Sequence, residues 1–285
     1  MKLRCAALLL TLLFLLSACG GVSDTKKASE APAAAGGELE AHFFDAGKAD
    51  AILLTTANSA VLVDAGEKGF GKTILAYLEE KGIDRLDCLI VTHFDQDHVG
   101  GAAKVLNNIA VGTVLQSNRP KDSEEYEKYV RALTNAGVEP VTVRELYEFT
   151  LDGVTYTVDP PRQAEYAADS SNNSSLIVTV QNGENRFLLT GDAQTERLAE
   201  VLDGENAACD VLKVPHHGKD EPLLAALLEA ATPAYAVITS SDEEPESEAV
   251  VRTLESAGAA VLLTREGAVT IRSDGLTVTP VTDER

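Results

Sequence analysis

Residues 92–101 read Thr92-His93-Phe94-Asp95-Gln96-Asp97-His98-Val99-Gly100-Gly101. They follow the run Leu86-Asp87-Cys88-Leu89-Ile90-Val91, and a short apolar run of this kind reads as a buried strand. Four side chains able to bind metal, His93, Asp95, Asp97 and His98, therefore stand together at a strand end. A rigid strand end and a tight loop can bring such side chains to one point. Imidazole nitrogens and carboxylate oxygens suit zinc, and also manganese or iron. The glycine pair lets the backbone turn closely past the site before the next helix. The chain has five histidines. Two lie here, and two more, His216 and His217, end another apolar run. His42 stands apart and reads as a strand residue.

Two further stretches share this form. Leu212-Lys213-Val214-Pro215-His216-His217-Gly218 again places histidine at a strand end. Leu188-Leu189-Thr190-Gly191-Asp192 ends a strand on a carboxylate. Alone that aspartate is a weak signal. Beside the other two motifs it can supply an oxygen shared by two metals, which together can clamp a displacement at phosphorus or carbon.

Taken together, these motifs resemble the metallo-β-lactamase superfamily, and more narrowly the extracellular metallo-hydrolase domain of ComEC-type competence proteins. The resemblance spans about residues 39–281. It includes Phe44-Asp45-Ala46-Gly47-Lys48-Ala49-Asp50, Val63-Asp64-Ala65-Gly66 and Asn172-Asn173-Ser174-Ser175-Leu176. It implies a four-layer αββα sandwich of the α/β (α+β) class with two divalent ions, Zn2+ or Mn2+, at the sheet edge. By position, His93 and Asp95 would hold the first ion. Asp97, His98 and one of His216 and His217 would hold the second, with Asp192 bridging. His216 follows the strand directly and is the expected ligand, with His217 as its neighbour or proton donor; the reverse assignment stays open. Asp97 would also orient the nucleophile. Asn173 and Ser175 stand where other branches place a further histidine, so the first ion would be held more weakly. Asp45, Asp50 and Asp64 are expected to brace the ligands.

The chain departs from the family pattern in three places. Lys219 follows His-His-Gly where serine is usual. Glu244 stands where a histidine is expected, and the family's D-V-G-Q-G-D has become D-A-G-K-A-D. The core ligands are untouched; the substrate-contacting part is altered.

Elsewhere hydrophobic periodicity predicts strands over 39–45, 51–55, 59–64, 111–116, 139–144, 147–151, 153–158, 175–181, 185–190 and 209–214. It also predicts strands over 234–239, 259–264, 267–272 and 275–281. Helices are predicted over 72–81, 99–108, 123–136, 194–203, 220–231 and 246–257. Periodicity alone does not separate a layered sandwich from a doubly wound sheet.

The chain has 285 residues, of which 45% are hydrophobic and 24% charged, so it reads as globular. Its net charge of -21 argues against passive binding to nucleic acid or to an anionic membrane. At the N-terminus Lys2 and Arg4 precede an apolar run over 6–16, too short to span a bilayer. Leu16-Ser17-Ala18-Cys19 resembles a bacterial lipobox. This predicts a lipoprotein signal peptide over 1–18, lipidated Cys19, and a flexible tether over 19–37. The hydrolase domain would fill 38–285, at the outer face of a bacterial membrane. Removing 1–18 removes two cations and no acid, which takes -21 to -23. Cys88 and Cys209 lie in apolar runs and read as buried free thiols.

The expected function is metal-dependent hydrolysis of a small phosphoester, above all a phosphodiester, by hydroxide generated at the two-metal centre. Two other readings are a non-catalytic metal-binding lipoprotein and an accessory protein of DNA uptake; the charge weighs against the second.

Overall fold

A computed structural model describes residues 37–168, 171–204 and 207–281. The first half runs β1 (Leu39–Phe43), β2 (Ile52–Thr55), β3 (Ala60–Val63), α1 (Gly71–Glu80), β4 (Arg85–Val91), α2 (Gln96–Val99), α3 (Ala102–Leu106), β5 (Ala110–Gln116), α4 (Glu124–Ala136) and β6 (Val141–Thr142). The second half runs β7 (Tyr147–Leu151), β8 (Val154–Asp159), β9 (Ile177–Asn182), β10 (Asn185–Leu189), α5 (Thr195–Asp203), β11 (Val211–Lys213), α6 (Leu224–Ala231), β12 (Tyr235–Ile238), α7 (Glu248–Ser256) and β13 (Ala260–Leu263). β14 (Val269–Ser273) and β15 (Val278–Val281) return to the first half. The expected signal peptide, Cys19 and all of the tether but residue 37 lie outside the described residues, as do 282–285. Among the described residues no helix is long and apolar enough to cross a membrane.

The strands form an eight-stranded sheet, β15-β14-β1-β2-β3-β4-β5-β6, and a seven-stranded sheet, β13-β12-β11-β10-β9-β8-β7. In the first, β3 to β6 run parallel; in the second, β10 to β13 do. β4 is apolar nearly throughout because both its faces are covered. Phe43, Ile52, Val63, Ile90, Tyr156, Val178, Phe187 and Leu189 fill the space between the sheets. α1, α3 and α4 cover the outer face of the first sheet with Ile74, Leu78, Val105, Tyr129 and Leu133. α5, α6 and α7 cover the second with Leu198, Leu227, Leu228 and Leu254. The four layers are thus the expected αββα.

Local sequence explains the element ends. Ser123 accepts from the Tyr126 amide and caps α4, whose first turn is acidic; Gly137, at φ 67°, closes it. Asp152 and Gly153, both at positive φ, make the tight turn between β7 and β8. Two elements differ from the prediction. The helix over 99–108 is split into α2 and α3 by the glycine pair. The strand over 139–144 is only β6, two residues on the sheet edge. Pro140 lacks the amide that would extend the pairing.

Cys88 and Cys209 are buried free thiols, as expected. Burial pushes both up to about 12. Neither should react with iodoacetamide at pH 8 in the folded protein, and both should react after unfolding. Peptide mass mapping reads this out; labelling of either cysteine in the native state would contradict the packing described.

Candidate metal centre

The parallel strands of both sheets deliver their C-terminal ends to one seam. β3 leads into Asp64, β4 into Thr92 and His93, β10 into the turn that carries Asp192, β11 into the His216-His217 turn and β12 into Thr239. Open parallel sheets place ligands at such ends. The loop after β4 is laced down by backbone bonds: Ala65 N to His98 O, Asp50 N to Asp97 O and Gly101 N to Gly66 O. A Cβ on Gly101 would stand 2.1 Å from the Ala65 carbonyl oxygen, so no larger residue fits this approach.

Asp97, His98, Asp192 and His217 offer ligand atoms that all lie within 4.8 Å of one another. His98 Nε2 and His217 Nε2 each stand 3.2 Å from Asp192 Oδ1. Asp97 Oδ2 is 3.5 Å from His217 Nε2. These four residues come from both sheets.

Each imidazole is oriented from behind. His98 Nδ1 lies 2.8 Å from Asp64 Oδ2, and His217 Nδ1 lies 2.9 Å from the Thr239 carbonyl oxygen. Those oxygens only accept, so Nδ1 donates and Nε2 faces the pocket. Asp64 also accepts from the Thr92 amide and hydroxyl. Asp50 accepts from Thr239 Oγ1 and, at 2.6 Å, from the fully buried Lys213 ammonium. The expected bracing by Asp50 and Asp64 is therefore present, whereas Asp45 is exposed.

The charge of the pocket calls for a cation. Burial pulls the His98 imidazole down, but Asp192 and Asp64 outweigh it and hold His98 well above the usual histidine range. His217 is raised against its burial chiefly by Asp192. Asp192, despite burial, is held well below the carboxylate range by His217 and His98. The carboxylates thus favour positive charge at these imidazoles, and a divalent ion would satisfy the same carboxylates. The donor set fits such an ion. His93 Nε2, His98 Nε2, His217 Nε2 and Asp192 Oδ1 are buried, and apart from the 3.2 Å approaches of the two imidazoles to Asp192 they have no hydrogen-bond partner, a state that a native interior rarely tolerates.

Two expected assignments change. His217, rather than His216, joins the cluster. Both residues take left-handed backbone, φ 50° and 54°, and this turns the second histidine inward. His216 instead places Nδ1 3.0 Å from Glu221 Oε1 and Nε2 3.3 Å from the Asn172 amide. Asp95 also stays outside the cluster, its Oδ1 taken by Lys121 Nζ and Ser171 Oγ. His93 faces the seam with its ring centroid 4.0 Å from that of His98. Burial and His98 lower its pKa.

Three lysines escaped the sequence reading. Lys48 Nζ lies 3.0 Å from Asp97 Oδ2, Lys121 meets Asp95, and Lys213 meets Asp50. Only Lys213 left a signal, a lone charge in an apolar strand. His42 is a buried residue of β1, stacked on Tyr77, as its strand reading implied. Glu244 is exposed.

Facing sheets with a His/Asp cluster across their strand ends define a metallo-hydrolase fold with a candidate metal centre. Residues 44–240 match the Metallo-beta-lactamase superfamily, and the chain belongs to that family. Its relatives include competence proteins. It is 33% identical over 174 residues to ComE operon protein 3 of Bacillus subtilis (strain 168), covering 59% of this chain and 22% of that one. It is 28% identical over 200 residues to Competence protein ComA of Neisseria gonorrhoeae, covering 69% and 26%. The chain thus spans about a quarter of the length of these curated relatives. The structure of Igni18, a novel metallo hydrolase from the archaeon Ignicoccus hospitalis, matches with a TM-score of 0.53. The two share 18% identity, with 82% of this chain and 98% of that one covered; this likeness concerns the fold.

Proposed function

We propose that this chain is a metal-dependent phosphoesterase, with phosphodiesters as its first substrates. The observation that carries the reading is the convergence of buried His98, His217 and Asp192 atoms, which face only one another, beside Asp97 and the Lys48 ammonium. Asp97 and Asp192 together match one divalent ion in charge. Lys48 then remains as a cation at the pocket edge, which suits an anionic phosphoryl group better than a neutral lactam. A divalent ion held by the four residues would lower the pKa of a water to make a nucleophile at neutral pH. Asp97, the least buried of the four, would orient that water. Asp64 and Thr239 keep the two histidines in the coordinating tautomer.

Export and a lipid anchor through Cys19 belong to the same proposal and rest on the N-terminal sequence. They place the enzyme at the outer membrane face, acting on a small or local phosphoester. The competence proteins among the relatives favour a second reading, in which the phosphodiester is DNA; the net charge of -21 weighs against long contacts.

The test is turnover of an activated aryl phosphodiester by the purified protein with Mn2+ or Zn2+. Turnover should require the metal and fall at least about 100-fold in Asp97→Ala and in His98→Ala. Metal-loaded protein inert toward phosphodiesters, phosphomonoesters and lactams would leave the non-catalytic reading standing. Salt-sensitive cleavage of DNA would favour the second reading.

A further inference from the structure

We propose that this chain holds one metal ion rather than two, and that the Lys121 ammonium occupies the charge position of the second ion on Asp95. The proposal rests on reading Asp97, His98, Asp192 and His217 as the metal site. Lys121 lies in the loop before α4 and reaches across to Asp95, with Nζ 2.5 Å from Oδ1. Ser171 Oγ donates to the same oxygen. The nearby Asn173 amide is committed elsewhere. Asn173 Oδ1 accepts from the backbone amides of Gln194 and Arg197 and so pins the start of α5. Ser175 Oγ accepts from the Asp192 amide.

With Asp95 bound through Oδ1 to an ammonium and a hydroxyl, a second ion would find, among the described residues, only His93 Nε2 and a share of Asp192 unless it displaced Lys121 to use Asp95 in full. Two protein ligands are too few for tight binding, since stable sites of this kind use three or four. Charge agrees with this arrangement. Asp50, Asp64, Asp95, Asp97 and Asp192 carry five negative charges, which Lys48, Lys121, Lys213 and one divalent ion match. A second dication would leave the seam with excess positive charge unless Lys121 moved away.

The experiment counts metal in the full chain after loading with micromolar Mn2+, by mass spectrometry of the eluted protein and by its Mn2+ spin spectrum. Wild type should carry one ion with an isolated spectrum. Lys121→Gln frees Asp95 Oδ1, and that carboxylate, two residues from His93, would turn to a second ion. This variant should take a second, weaker ion and show spin coupling. Lys121→Arg keeps the cation and should stay at one. Circular dichroism confirms that each variant is folded. Two ions in wild type, or one ion in folded Lys121→Gln, would overturn the proposal. Absence of any bound ion in wild type would overturn the metal-site reading along with it, a different result from two.

Discussion

His217→Ala is expected to weaken metal binding at least about 100-fold, while His216→Ala leaves it nearly unchanged. Loss of a mere outer partner of a metal ligand commonly weakens binding 10–100-fold, and His217 is placed as a ligand itself. Its Nε2 stands 3.2 Å from Asp192 Oδ1, and Thr239 fixes its tautomer. His216 is engaged by Glu221 and Asn172 on another side of the turn. Competition with a chromophoric chelator gives both affinities, and thermal unfolding in EDTA checks that both variants fold. The reverse pattern, with His216→Ala losing the ion and His217→Ala keeping it, would restore the assignment suggested by the sequence order.

Arg197→Met is expected to destabilise the protein by about 3–5 kcal/mol, the typical effect of removing one partner from a buried ion pair. Arg197 is fully buried on α5. Its guanidinium donates to Glu200 Oε2, to the Ser175 carbonyl, and to Asp159 through both backbone and side chain. Without it, the buried Glu200 carboxylate keeps Tyr166 and the Arg162 amide but loses its charge partner. In a domain of this size the loss lowers the unfolding midpoint by about 6–20 °C. Arg252, paired with Glu248 on an exposed helix face, is the control, and its alanine variant should unfold with wild type. A midpoint unchanged in Arg197→Met would contradict the burial described. Ser175 also accepts from the Asp192 amide, so the variant should loosen the metal site as well.

Much of this arrangement was legible in the sequence because strand ends and ligands coincide there. His93 through His98, Asp192 and the His216-His217 pair each follow an apolar run, and the fold brings those run ends together. Helix ends were equally readable at α4, where Ser123 and Gly137 have defined backbone roles. What could not be read has two physical causes. The sign of a backbone angle is not written in residue type, and the left-handed turn at both histidines exchanged their directions. Long-range ion pairs depend on packing, so Lys48 and Lys121 reach aspartates 49 and 26 residues away with no local trace.

The placement of the four candidate ligands has a consequence for how the protein assembles. Asp97 and His98 follow a strand of one sheet; Asp192 and His217 follow strands of the other. Neither half of the chain alone supplies all four residues of this cluster. An ion held by all four residues would therefore be bound in full only after the two sheets have docked. Once bound, the ion rivets them together and draws the equilibrium toward the native state by mass action. Occupancy of the seam is then a record that both halves have met in the correct register.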